Sequence, residues 1–423
     1  MAALFCAMRA FLPPRRGGEQ DKIEGRTFPK ETPMSAPLDL AALQNVLLPF
    51  GPSRLLPQAA YTSKDVLAWE QKHFFEGSWV CGGTSEGLEH PGDQKAIRVG
   101  SDGIVLVRGD DGVLRGFFNS CRHRSHELLQ LGECASSRSI RCPYHGWTYN
   151  LDGSLKASVM KSHAAGFEPS AEGLIPARIE LWHGWIFVNA SGDALPFSEW
   201  VGDLEAITKP YEPERLRVGA THQYEIAANW KLICENYHEC YHCPQIHPQL
   251  CKVSPPDSGE NAVHPGAFIG GNMELTEGAV TMSMDGHSDG ARLRGVTGAL
   301  ARQVHYYGLF PNVLLSYHPD YVMSHRMEPL APNRTKVECQ WLFPPESLDT
   351  PGFDPKYAVE FWDTTNWQDW RAVESVQRGI ESRGYRPGTL TPREDAVYDF
   401  VTRIARGYIE DSFSPRRVTA VLA

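Results

Sequence analysis

Hydrophobic patterning begins near residue 40. AALQNVLLPF (41–50) carries apolar residues at a short amphipathic spacing. SKDVLAWEQKHFFEGSW (63–79) predicts a helix, with Ser63 as its N-cap and Val66, Leu67, Trp69 and Phe75 marking an apolar face. From about 80 to 190 the period drops to two. AIRVG, GIVLVRG, GVLRGFFN, GWTYN and GWIFVNA read as short strands between Gly- and Asp-rich turns, and Asn150 to Gly153 is a hairpin signal. The pattern predicts a compact, mostly β domain.

After 190 the texture is mixed. Residues 200–211 look helical, and 225–243 predict a helix opening at Asn229. Residues 252–300 are rich in Gly and Ser and weakly patterned, which predicts a long loop or lid. Residues 313–330 and 335–346 predict two long strands, and 362–380 and 394–408 predict helices. Strands flanked by long helices predict an α+β second domain. No internal repeat or low-complexity tract is present.

Length and charge narrow the function. A chain of 423 residues suggests two or three domains and can bury a large core without disulfides. The formal charge of -10 argues against nucleic acid and anionic lipid as partners. Its apolar runs are far short of the roughly 20 residues a membrane helix needs. MAALFCAMRAFLPPRR has its apolar part before its Arg pair and no small-residue cleavage site, so residues 1–40 are expected to be a disordered leader rather than a targeting signal. Met34 is a plausible true start. The expected location is the cytoplasm, with reduced thiols.

Two constellations carry chemistry. Cys121 and His123 form C-x-H, and after eighteen residues Cys142 and His145 form C-x-x-H. Two short loops can then present two ligands each. Two Cys and two His suit either a tetrahedral zinc or a [2Fe–2S] cluster with both Cys on one iron and both His on the other. His126 and Cys134, between the halves, read as bystanders. Further along, NWKLICENYHECYHCPQIHP holds Glu239, His242 and His247. His242 follows Glu239 by three residues, so the two would sit on neighbouring surfaces of one helical turn. Pro244 and Pro248 break the helix and let His247 swing back. Two imidazoles and one carboxylate make the facial triad of non-haem Fe(II) oxygenases. Cys240 and Cys243 form C-x-x-C and read as packing residues inside that helix, and His238 as a non-ligand.

The run NSCRHRSHELL followed by IRCPYHGWTYNLDG resembles the Rieske iron–sulfur domain. With E-x-x-H-x-x-x-x-H behind it, the chain resembles the large (alpha) subunit of the Rieske non-haem iron oxygenases over roughly residues 60–410. The resemblance implies an α+β chain: an N-terminal all-β Rieske domain at 80–190 and a C-terminal helix-grip (START-like) catalytic domain at 191–423. Residues 41–79 would be a helical segment packing on the catalytic domain. It also implies a cluster on Cys121, His123, Cys142 and His145, and a mononuclear Fe(II) on His242, His247 and a carboxylate from a late helix. Asp369 fits that place, with Asp363 as runner-up. Glu239 is implied to bridge the two centres, through a hydrogen bond with a Rieske His of a neighbouring subunit in a homotrimer.

NWKLICENYHECYHC, LFPNVLLSYHPDYVMSHRMEPLAPNRT and DWRAVESVQRGIESRGYRPG look like the glycine betaine, carnitine and choline monooxygenase branch. That implies hydroxylation beside a quaternary nitrogen, and N-demethylation when an N-methyl group is attacked. Tyr306, Tyr307, Phe310, Tyr317 and Tyr321 are candidates to line an ammonium pocket, and His325 or Arg326 to meet a substrate carboxylate. An aromatic ring-hydroxylating dioxygenase, a Rieske electron-transfer protein and a structural zinc protein are the competing readings. The chain has no G-x-G-x-x-G after a strand and no plant-type ferredoxin run, so a separate NAD(P)H-dependent flavin and iron–sulfur reductase is implied.

Overall fold

The computed structural model describes residues 35–159 and 165–416. The leader expected over 1–40 falls, up to residue 34, outside the described residues. The chain divides into two compact units, with boundaries between Phe74 and Phe75 and between Ala194 and Leu195. Among the described residues the first unit is one continuous stretch of chain. The second takes the segment ending at Phe74 together with everything from Leu195 onward.

The first unit is built from ten strands: β1 (Val80–Thr84), β2 (Asp93–Val99), β3 (Asp102–Arg108), β4 (Leu114–Phe118), β5 (Cys134–Ser136), β6 (Ile140–Arg141), β7 (Thr148–Tyr149), β8 (Leu155–Ala157), β9 (Pro176–Trp182) and β10 (Trp185–Asn189). Seven of them form an antiparallel sheet in the order β1-β10-β9-β4-β3-β2-β5, and β6-β7-β8 form a smaller one. Alternation supplies the buried face: Val105 and Val107 of β3 and Phe117 of β4 join Cys121, Cys142, Trp147 and Tyr149 in one core. The two cysteine loops therefore grow directly out of packed apolar structure.

The second unit starts with α1 (Leu40–Val46), α2 (Gln58–Thr62) and α3 (Lys64–Glu70). The Ser63 hydroxyl accepts the Val66 amide, which makes it the N-cap of α3. After Leu195 come α4 (Phe197–Val201), α5 (Leu204–Thr208), strand β11 (Arg217–Ile226), α6 (Trp230–Tyr237), α7 (Cys243–Ile246) and α8 (Leu250–Val253). Strands β12 (Glu260–Asn261), β13 (Phe268–Glu274), β14 (Gln303–Leu309), β15 (Val313–Tyr317), β16 (Val322–Ala331) and β17 (Arg334–Phe343) follow, then α9 (Pro345–Leu348), α10 (Lys356–Ile380) and α11 (Asp395–Glu410). Seven strands form one antiparallel sheet, β11-β17-β16-β15-β14-β13-β12. The chain is α+β.

Three expectations are corrected. The helix read over 225–243 is only α6. Asn229 caps it as expected, through a 3.1 Å bond from the Lys231 amide, but it ends at Tyr237. Glu239 and His242 therefore lie in a turn, not on a helix. The stretch read as one strand over 313–330 is two, folded back at His318–Tyr321. The loop read over 252–300 contains β13, whose Gly270 and Gly271 pair with Tyr307 and Tyr306 of β14; paired glycines without side chains leave no alternating signal. The rest of that segment is pinned. The buried Asp320 carboxylate accepts Thr281, Ser288 and Tyr357 hydroxyls, Tyr321 donates to the Met282 carbonyl at 2.8 Å, and Arg302 donates to the Ala279 and Leu275 carbonyls.

Helix α6 is held by an ion pair with no solvent exposure. Lys231 Nζ donates to Glu70 at 2.6 Å, and Trp230 and Tyr408 donate to the same carboxylate. Burial drives the Lys231 ammonium down from its ordinary pKa, and Glu70 works against that. Removing one member of such a pair strands the other charge. Lys231→Met is expected to destabilise the second unit by about 3–5 kcal/mol, read as a fall in its calorimetric melting temperature. An unchanged transition would show that α6 does not depend on the pair.

Candidate functional site

The first site consists of two matched loops. Cys121 follows β4 and Cys142 follows β6. In the first, the Ser125 amide returns to the Cys121 carbonyl at 2.9 Å, and in the second the Gly146 amide returns to Cys142 at 3.1 Å. Each loop turns on a left-handed residue four positions after its cysteine, Ser125 (φ 54) and Gly146 (φ 70). The two thiols are buried, at 2% exposure each, and His123 and His145 stand at the surface side with ring centroids 4.6 Å apart. The cysteines thus form one pair and the histidines another.

Neighbouring groups fit a bound cluster. The buried Tyr149 hydroxyl lies 3.2 Å from Cys121 Sγ and accepts the Arg122 amide at 3.0 Å, so it can donate its proton to a thiolate there. Trp147 stacks on His123 at 5.0 Å. His145 is held below the ordinary imidazole pKa by desolvation and by the neighbouring His123 and Arg124, and its buried Nδ1 has no partner among the described residues. Two sulfurs on one side and two imidazoles on the other are the donor set of a Rieske centre.

The second site lies in the second unit. After α6, the turn 238–242 brings Glu239 back onto its own chain. Its Oε2 accepts the His242 amide at 3.1 Å and the Tyr241 amide, and its Oε1 accepts from His242 Nδ1. The short helix α7 then places His247 beside His242. From α10, Asp369 completes the group: its Oδ1 lies 2.9 Å from His247 Nε2 and 3.4 Å from His242 Nε2, and the two Nε2 atoms are 3.1 Å apart. Asp363 is engaged elsewhere, with Tyr224 at 2.6 Å and His222 at 3.2 Å.

The donor chemistry calls for a cation. Both Nδ1 atoms face oxygen acceptors, Glu239 for His242 and Gln368 Oε1 at 2.7 Å for His247. With a metal bound, both Nε2 atoms would present lone pairs on the side of Asp369, and three lone-pair donors would meet at one point. Cys243 Sγ also lies within 4.8 Å of the two imidazoles. It is bonded to Cys240 in a disulfide, so it offers no thiolate. This corrects the reading of Cys240 and Cys243 as packing residues with reduced thiols. With the helix ended at Tyr237, the two cysteines flank a turn that brings their Cα atoms to 4.9 Å.

A cavity of about 480 Å³ opens beside this group, between the sheet and α10. Strand parity selects its wall. Tyr306, Leu314 and His325 lie on one face of the sheet, as the pairings Leu314–His325, Gly308–Leu314 and Gly271–Tyr306 require. Tyr307 and Tyr317 fall on the other face, where Tyr317 packs on Tyr211 and Tyr307 on Phe268. Phe310 stacks on Phe413 in the core, Tyr321 is buried under Trp362, and Arg326 pairs with Glu338. Of the residues expected to line the pocket, only Tyr306 and His325 do so. The sequence reading missed Tyr237, Trp362, Asn366 and Trp370, which also line it. A helical apolar stripe gave no sign of which turn meets the cavity.

Electrostatics differ along the cavity. Burial pulls His325 and His238 down to about 4, so both are neutral. His325 Nε2 donates to Asn366 at 3.1 Å and His238 Nδ1 to the Cys234 carbonyl at 2.7 Å. A side chain at Gly308 would collide with the His238 ring, so the close approach there requires glycine. At the His242 group the balance reverses. Burial lowers the His242 pKa, but Asp369 and Glu239 outweigh it and leave it at about 9. Asp369 is held below its ordinary value: burial raises it, and the two histidines more than compensate.

Comparison with known proteins follows the same division. Residues 78–168 match the Rieske [2Fe-2S] domain family, and residues 213–410 match the ring hydroxylating alpha subunit (catalytic domain) family. The glycine betaine monooxygenase oxygenase subunit of Chromohalobacter salexigens is 31% identical over 82% of this chain and 84% of its own length. The carnitine monooxygenase oxygenase subunit of Escherichia coli K12 is 32% identical over 78% and 85%. A solved quaternary ammonium Rieske monooxygenase, described for carnitine oxidation and inter-subunit electron transfer, superimposes with a TM-score of 0.73 at 26% identity, over 89% of this chain and all of that one.

A pH prediction follows from the raised His242 pKa. In the metal-free protein His242 is protonated at neutral pH and must lose that proton to bind a metal. Fe(II) affinity is expected to fall about tenfold per pH unit below about 9, with release of one proton per iron, measured by titration in weak buffer. The sign for the metal-free fold is the opposite. A raised folded-state pKa stabilises below the unfolded imidazole value, and that contribution fades as pH rises through about 9. Iron binding that is flat between pH 6 and 9 would contradict the assignment.

Proposed function

The chain belongs to the Rieske-type ring-hydroxylating oxygenases, as an alpha (oxygenase) subunit, and from that membership we propose that it hydroxylates an N-methyl group, or the carbon beside the nitrogen, of a quaternary ammonium compound of the glycine betaine kind. As a member it is an oxidoreductase that uses a [2Fe–2S] cluster and a mononuclear iron. We assign the cluster to Cys121, His123, Cys142 and His145, and the iron to His242, His247 and Asp369. When bound, the cluster supplies electrons one at a time and the iron supplies dioxygen activation.

The observation that carries the substrate class is the cavity wall. Tyr237, Tyr306, Trp362 and Trp370 present aromatic surface next to the His242–His247–Asp369 group, and the two histidines beside them, His238 and His325, are uncharged. Aromatic faces attract a cation that has no proton to donate. Neutral histidines add no repulsion. His242, His247 and Asp369 would hold the metal at the edge of this cavity, where it would supply dioxygen activation beside the bound substrate. A hydroxylated N-methyl group on a quaternary nitrogen loses its hydroxyl proton as the C–N bond breaks, the bonding pair returning to nitrogen, and gives formaldehyde, a proton and the tertiary amine.

Glu239 has two assigned tasks. It orients His242 within its own chain, and it receives a Rieske histidine of a neighbouring subunit in a homotrimer. The second task is supported by the solved relative described for inter-subunit electron transfer. Electrons come from a separate NAD(P)H-dependent flavin and iron–sulfur reductase, because the chain carries no nucleotide-binding motif of its own. We place the protein in the cytoplasm with that donor. Among the described residues no helix is long and apolar enough to cross a membrane.

A single turnover tests the proposal. The iron-replete, reduced protein is mixed anaerobically with glycine betaine and then with oxygen. Reoxidation of the cluster that depends on substrate, together with formaldehyde, is the expected result. Reoxidation that releases neither formaldehyde nor any other dealkylation product across a panel of methylated amines would overturn the substrate class. Glu239→Gln is expected to retain both metals and slow reoxidation by about 10–100-fold, the range for loss of an outer-shell partner; normal single-turnover kinetics would remove its bridging role.

A further inference from the structure

We propose that α10 builds the iron site twice over. Asp369 is one contribution; the other is Gln368, a positioning residue whose side-chain oxygen fixes the tautomer and ring plane of His247, with Gln249 holding Gln368 in register. The inference rests on the reading of His242, His247 and Asp369 as ligands.

A neutral imidazole carries one N–H, and a nitrogen that binds a metal must be the other one. For His247 to ligate through Nε2, its proton must sit on Nδ1 and needs an acceptor there. That acceptor is Gln368 Oε1, 2.7 Å away. The His247 side chain is 2% exposed, so solvent cannot take its place.

A glutamine amide can face either way, and turned over it would offer a donor and enforce the wrong tautomer. The orientation with Oε1 toward His247 is the one Gln249 supports: its Oε1 lies 3.4 Å from Gln368 Nε2 and accepts from it. Gln249 is the residue just before the short helix α8, two residues after His247, so the relay closes on the segment it orients. Gln368 and Asp369 are consecutive on a helix, pointing about 100° apart. One rigid turn can therefore hold a ligand on one side and reach behind another ligand with its neighbour.

The two histidines are supported unequally. His242 donates to a carboxylate and His247 to an amide. A charged acceptor makes an imidazole more basic than a neutral one does. His247 is then the weaker donor, and its alignment depends on geometry rather than charge.

The test uses the full chain, stripped of mononuclear iron and retitrated with Fe(II), with the cluster absorbance and the melting transition of the second unit as internal measures of folding. Gln368→Leu is expected to raise the Fe(II) dissociation constant about 10–100-fold with the cluster intact, and to change the rhombicity of the Fe(II)–nitrosyl EPR signal. Gln368→Glu keeps the acceptor and is expected to restore parent affinity. Gln249→Leu is expected to weaken binding less than Gln368→Leu. Parent affinity in Gln368→Leu, or no rescue by Gln368→Glu, would overturn the proposal. Should Gln368→Leu lose its cluster, Gln249→Leu decides alone: unchanged affinity and EPR would overturn it. Asp369→Ala separates the two readings. If it keeps its iron, the ligand assignment fails; if it loses iron while Gln368→Leu does not, only the relay fails.

Discussion

The catalytic unit is organised around one buried ion pair. Lys231 and Glu70 meet without solvent, and Trp230 and Tyr408 fill the remaining acceptor positions of the carboxylate. Three helices distant in sequence, α3, α6 and α11, are fixed to one another by that single carboxylate. Asn229, which caps α6, also donates to the Tyr61 and Pro332 carbonyls, and Glu235 accepts the Tyr61 hydroxyl at 2.7 Å. The turn with Glu239 and His242 leaves the last residue of this locked helix. A charge pair in a dry interior is a weak source of stability. Here its value is geometric, because a helix held at both ends can deliver a turn to one place.

The site shows how local environment divides identical side chains into different states. His325 and His238 are buried among aromatic and aliphatic groups and are neutral. His242 is also buried, yet the carboxylates of Asp369 and Glu239 reverse the outcome. The same imidazole is therefore a neutral wall in one place and a charge-compensated group a few residues away. In the first unit the contrast is between cysteine and histidine. Sulfur sits in the core with a tyrosine hydroxyl beside it, and imidazole sits toward solvent.

Local motifs were legible in the sequence, and three-dimensional convergence was not. Cys121, His123, Cys142 and His145 lie in two tight loops, so their spacing already describes the site. Asn229 was readable as a cap because capping is a local bond. The end of α6 was not, since the apolar spacing continues past Tyr237 while the Glu239 carboxylate and the Cys240–Cys243 link close a turn instead. Strand β13 was hidden by glycines that pack backbone against backbone. The tyrosines of β14 and β15 were read as a group, and strand parity sends Tyr307 and Tyr317 away from the cavity. Asp369 was reached through family resemblance, but Gln368 beside it left no signal, because a glutamine on a half-exposed helical face is ordinary until a histidine is found behind it.

The chain path has a consequence for biosynthesis. The catalytic unit is discontinuous: it begins before Phe74 and resumes at Leu195, and the cluster-bearing unit is inserted between the two parts. On the ribosome the inserted unit is complete while Lys231 is still unmade and Glu70 has no partner. Domains fold as units during synthesis, so the inserted unit can close and take up its iron and sulfide first. The early helices must then wait, uncommitted, for about 160 residues of chain between Glu70 and Lys231. Connectivity alone therefore makes the inserted unit available to fold before the catalytic unit is complete.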